Sequence, residues 1–121
     1  MRKRRNNVVL LIILVQLLFS CSNTMNHNEI ISEEISPNGR YKIVMFYRSI
    51  NATTEQSLQV SVLKEKKTLK DTAGNVLVIE GNASAKWIDD KNILIVIEKN
   101  SKIYQKKDTI GDISVIYNID E

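Results

Sequence analysis

Apolar residues fall along the chain in two patterns, one continuous and one alternating. Val8 to Phe19 is continuous, broken only by Gln16. A run of this length is too short to cross a bilayer core, which takes ~20 helical residues, so it predicts the apolar part of a secretory signal. Beyond residue 32 the period becomes two. Tyr41, Ile43, Met45 and Tyr47 alternate with Lys42, Val44, Phe46 and Arg48, which predicts a strand with one wholly apolar or aromatic face in a central position. Leu58, Val60 and Val62 alternate with Gln59 and Ser61, the pattern of a strand buried on one face. Strands are likewise predicted over Val76–Glu80, Ser84–Ile88, Ile93–Glu98 and Asp112–Ile119, with a short edge strand over Lys102–Lys107 whose lysines discourage edge-to-edge association. No segment sustains helical spacing. The pattern predicts an all-β fold, a small antiparallel sheet or sandwich of about six short strands.

Turn chemistry punctuates these runs. Pro37 pre-sets a turn that Asn38 and Gly39 complete, and Asp89 to Asn92 makes a hairpin loop. Lys64 to Asn75 reads as a charged connection, and Gly111 marks a further turn. Ser22 to about Ile31 is polar, Asn-rich and aperiodic, as a flexible tether would be. His27, the one histidine, is expected to be solvated within it.

The signal's end carries a resemblance. Leu18-Phe19-Ser20-Cys21 resembles the bacterial lipobox, with a branched apolar residue three positions before a cysteine and a small residue just before it. The resemblance implies that the Cys21 thiol is alkylated by a diacylglyceryl group, that the signal is cut before Cys21, and that the new terminus is acylated. The expected organisation is a signal peptide over 1–20, a lipidated cysteine and tether over 21–32, and a β domain over 33–121. The expected address is the outer face of the cytoplasmic membrane, or the periplasm or outer membrane of a two-membrane cell.

Lipidation changes the reading of charge. The full chain has 17 basic and 14 acidic residues. Four of the basic ones, Arg2, Lys3, Arg4 and Arg5, precede Cys21 with no acid among them, so the exported part keeps thirteen against fourteen. The basic balance belongs to the signal, and no nucleic-acid partner is expected.

Ser36-Pro37-Asn38-Gly39-Arg40-Tyr41 followed by a strand resembles the opening of blades in TolB-type propellers, and the Trp87 to Ile97 segment resembles their paired strands. A propeller needs at least four blades of ~40 residues, more chain than is present. The segments Ser36–Tyr41, Ala52-Thr53-Thr54 and Trp87–Ile97 are together similar to a group of small uncharacterised exported bacterial proteins. That resemblance implies a fold and no mechanism.

Candidate chemistry is sparse. No zinc spacing, phosphate-cradling glycine loop or calcium-loop pattern occurs, so no metal or cofactor is expected. Asp89, Asp90, Asp108 and Asp112 are the pool for a carboxylate-based hydrolase, although adjacent acids in a hairpin tip are more often a solvated turn. Asn51 and Asn82 head sequons that are chance matches in a bacterial chain. Thr53 and Thr54 either offer hydroxyls to a ligand or cap a tight strand connection. Tyr47 and Trp87 are the aromatics most able to line a groove, with core burial the alternative for Trp87. The expected function is a non-enzymatic, membrane-anchored envelope lipoprotein with an envelope protein as partner. The alternatives are an immunity or inhibitor lipoprotein that binds a toxin or hydrolase, and the carboxylate hydrolase.

Overall fold

The computed structural model describes residues 27–49 and 56–120, and these form nine strands and no helix. The strands are β1 (Asn28–Ile35), β2 (Tyr41–Ser49), β3 (Gln56–Lys64), β4 (Leu77–Glu80), β5 (Ala83–Trp87), β6 (Asn92–Glu98), β7 (Lys102–Lys106), β8 (Thr109–Ile110) and β9 (Ile113–Asp120). They make two sheets, a larger one in the order β1-β2-β3-β4-β7 and a smaller one in the order β5-β6-β9-β8.

A single apolar cluster joins the sheets into a sandwich. The larger sheet supplies Ile43, Leu58, Val60, Val62, Leu77 and Ile79, the smaller one Trp87, Ile93, Ile95, Ile97, Ile113 and Val115. These are the inward positions of the period-two pattern, since successive side chains on a strand point to opposite faces. Trp87 adds a polar tie, because its Nε1–H donates to the Glu34 carbonyl of β1 at 2.8 Å.

The all-β expectation holds, with differences of detail. The smaller sheet is mixed: β6 and β9 run parallel, with Ile93 opposite Val115 and Ile97 opposite Ile119. After β6 the chain crosses to the larger sheet for β7 and returns through β8, which is the length of crossover a parallel neighbour requires. Residues 28–32, expected in the tether, belong to β1. A register shift between Ile30 and Ser32 breaks the alternation of that strand and nearly all of it is exposed, so it carries no hydrophobic period.

β2 is central, as expected, and its outer face is also buried: Val44 and Phe46 are both at 0% exposure. The Lys64–Asn75 connection is a strap laid across that outer face. Residues 67–70, 72, 73 and 75 line a cavity of about 160 Å³ together with Ser61 and Leu63, which point outward from β3. Gln59, placed by the alternation on a solvent face, is therefore 2% exposed. Its Nε2 donates to Ser57 Oγ and its Oε1 accepts from the Gly74 N–H, both at 2.7 Å, so the buried amide is satisfied at both ends.

Candidate functional site

Two ends of the larger sheet concentrate polar chemistry, and β1 runs from one to the other. At the first, where β1 begins, Arg48 at the end of β2 reaches the strap. Its guanidinium donates to Asp71 Oδ1 at 2.7 Å and to Asn28 Oδ1 at 2.8 Å. Asn28 in turn donates from Nδ2 to the carbonyls of Lys70 and Thr72. The His27 N–H donates to Asp71 Oδ1, and the ring Nδ1 lies 3.2 Å from Oδ2. Arg48 first, and His27 second, hold the Asp71 carboxyl below the usual aspartate range. His27, expected to be solvated in a tether, is thus part of the latch that fastens the strap to the start of β1.

At the opposite end the β1–β2 turn is built by its own side chains. The Ser36 hydroxyl donates to Asn38 Oδ1 at 2.8 Å and accepts the Tyr41 N–H, while Asn38 Oδ1 also accepts the Arg40 N–H. Gly39 takes φ +73°, the left-handed region, which a glycine enters without steric cost. The Arg40 carbonyl then accepts the Glu65 N–H at 2.9 Å, and the Lys67 N–H donates to the Lys64 carbonyl. These bonds fix the turn against the first residues of the strap. Between them opens a groove of about 430 Å³ lined by Gly39, Arg40, Tyr41 and the run Lys64 to Lys67. Four of the residues along it carry cationic side chains and one a carboxylate, and the wall itself is mostly apolar. Among the described residues, no carboxylate forms an ion pair with Arg40, Lys64, Lys66 or Lys67.

Of the sequence-predicted site residues, Tyr47 and Trp87 lie among the described residues. Cys21, Thr53 and Thr54 lie outside the described residues. Tyr47 packs half-buried against the core opposite Glu29, whereas Trp87 is a core residue tied to Glu34, at the other end of β1. Asp89 and Asp90, in the β5–β6 hairpin, and Asp112, before β9, stand at one end of the smaller sheet, where the parallel register sets Asn92 opposite Ser114. Asp89 closes the β5–β6 hairpin, accepting from the Lys91 N–H and the Asn92 amide, and these bonds lower its pKa. Among the described residues no group of three or more His, Cys, Asp or Glu is placed to hold a metal ion.

Residues 5–109 match the family model DUF5412, described as a family of unknown function. The chain belongs to that family. The DUF5412 match takes in both polar ends of the larger sheet and stops at the first residue of β8, leaving out β9. The resemblance drawn from Ser36–Tyr41, Ala52-Thr53-Thr54 and Trp87–Ile97 likewise implied a group with no assigned activity. No curated protein and no solved structure matches the chain.

Sequence reasoning missed the groove and the latch for one reason. Lys64, Lys66 and Lys67 are visible as a basic run, but Arg40 joins them only through the β2–β3 register that sets Tyr41 opposite Lys64. Asp71 meets Arg48 only because the strap folds back over the sheet.

Proposed function

We propose that this DUF5412 member is an exported lipoprotein of a bacterial cell envelope, anchored through acyl chains on Cys21, that works by binding another envelope component and not by turning over a substrate. The observation that carries the reading is the junction of the basic, apolar and Leu18-Phe19-Ser20-Cys21 segments with a domain that begins at Asn28. Seven residues of extended chain span at most ~25 Å, so the latch end of the sandwich would be held near the lipid surface. Two acyl chains would make the attachment stable where one gives only marginal binding. The edge strand β1, with Ile30, Ile31 and Ile35 exposed, supports a partner that adds an extended segment to the larger sheet.

The test is expression of the full chain in a bacterial host with a photo-crosslinking residue in place of Ile31. The expected result is a membrane-bound chain whose first residue is diacylglyceryl-Cys21 by mass spectrometry, solubilised by Cys21→Ser, and a reproducible crosslink to one envelope protein. An unmodified full-length chain in the soluble fraction overturns the anchor. Turnover of a substrate by the purified chain, with no crosslink, overturns the binding role.

A further inference from the structure

We propose that the groove between the β1–β2 turn and the strap binds a phosphodiester polyanion of the envelope, such as a glycerol-phosphate polymer. Arg40, Lys64, Lys66 and Lys67, all exposed, border one open and mostly apolar groove, with Glu65 as the only acid of its lining. Their positions are set by backbone bonds: Glu65 N–H to the Arg40 carbonyl, Lys67 N–H to the Lys64 carbonyl, and the turn locked by Ser36 and Asn38. Among the described residues no carboxylate is ion-paired to any of the four, so an incoming anion would meet positive charge that no such pair neutralises. The exported chain as a whole carries no basic excess, which makes this concentration of positive charge local and not a by-product of composition. Arginine forks onto phosphate oxygens while lysines act as point charges, a mixture suited to a flexible chain of phosphates.

The same phosphodiester occurs in anionic lipid headgroups, and the fold favours the polymer. β1 leads from the latch end to the groove over eight residues, roughly 27 Å at strand rise, so the groove faces away from the end at which the anchor would join. That choice rests on the anchoring reading, whereas binding itself does not.

The test uses the full chain purified in neutral detergent and titrated with poly(glycerol phosphate), with phosphatidylglycerol and phosphatidylcholine vesicles as separate arms. Saturable binding is expected, weakening with salt at a log–log slope of about −2 to −3, as for three or four phosphates neutralised on a flexible polyanion. Arg40→Glu combined with Lys66→Glu should weaken binding at least ~10-fold, while Lys86→Glu combined with Lys91→Glu, the same charge change on the smaller sheet, should leave it within about twofold. Acetylation footprinting of the unmutated chain needs no variant: the polymer should protect Lys64, Lys66 and Lys67 and leave Lys86, Lys91 and Lys99 reactive. Cys21→Ser should keep the polymer binding, so loss of the anchor and loss of the groove are separate results. Equal weakening by both double variants, no protection of the three groove lysines, or binding to phosphatidylglycerol vesicles alone overturns the proposal.

Discussion

Replacing Gly74 by Ala tests whether the strap is clamped to the sheet or merely rests on it. Gly74 is buried where the strap turns into β4, and its N–H donates to Gln59 Oε1 at 2.7 Å. A Cβ at this position would stand 2.8 Å from the Val60 carbonyl oxygen, 2.9 Å from that of Leu77 and 3.1 Å from Gln59 Cβ. Two of these atoms are sheet backbone and cannot swing aside. Gly74 is not among the glycines with positive φ, so alanine meets no intrinsic backbone penalty. Its lower unfolded-state entropy would by itself stabilise the fold by about 0.4–1 kcal/mol. Overpacking of this kind costs about 1–3 kcal/mol, so the steric effect wins and the net loss is about 0.5–2 kcal/mol. For a domain of this size that lowers the melting temperature by roughly 2–16 °C, measured by far-UV circular dichroism. Gly39 is the control with the opposite cause: nothing lies within 4 Å of its added Cβ, but φ is +73°. Gly39→Ala should cost about 1 kcal/mol through the backbone, and Gly39→Asn should recover much of it, since Asn tolerates the left-handed region. At Gly74, Asn should be worse than Ala. A Gly74→Ala chain that melts at or above the unmutated one refutes the close approach of strap and sheet.

Three further outcomes follow from the same contacts. Trp87→Phe removes the indole donor to Glu34 and part of the core packing, for a loss of about 2 kcal/mol in urea unfolding; the signal must be circular dichroism, because Trp87 is the only tryptophan. The depressed Asp71 pKa means that its contribution is fully present above the ordinary aspartate value near 3.8 and is lost as the pH falls through the folded value, so the protection of strap amides 66–73, taken relative to the intrinsic exchange rate at each pH, should fall in acid, and Asp71→Asn should flatten that dependence. Burial pushes the Tyr117 hydroxyl, a donor to the Lys107 carbonyl, up to about 12; the neutral phenol's contribution is present below the ordinary value of 10.0 and lost toward 12, and ultraviolet titration should show a late phenolate step that Tyr117→Phe deletes.

Much of the sandwich was legible from residue types alone. The period-two runs located β2, β3, β4, β5, β6 and β9 to within a few residues, because a strand with one face in the core must alternate. The Lys102–Lys106 edge strand was legible from its flanking lysines, and Gly111 from the turn between β8 and β9. β1 was not legible, since an exposed edge strand with a bulge buries too little to leave a pattern. Neither candidate end of the sheet was readable either. Each is assembled from residues distant in sequence, Arg48 with Asp71 and Arg40 with Lys64 to Lys67.

The sequence by itself determined the strand-forming character of the chain, the inward faces of its strands and the chemistry of its tight turns, all of which are local consequences of side-chain shape and spacing. Only the tertiary structure decided that Gln59 is buried, that β6 and β9 run parallel, and that four cations share one groove. Those outcomes depend on where the strap and the crossover pass, and a path through space leaves no period along the chain.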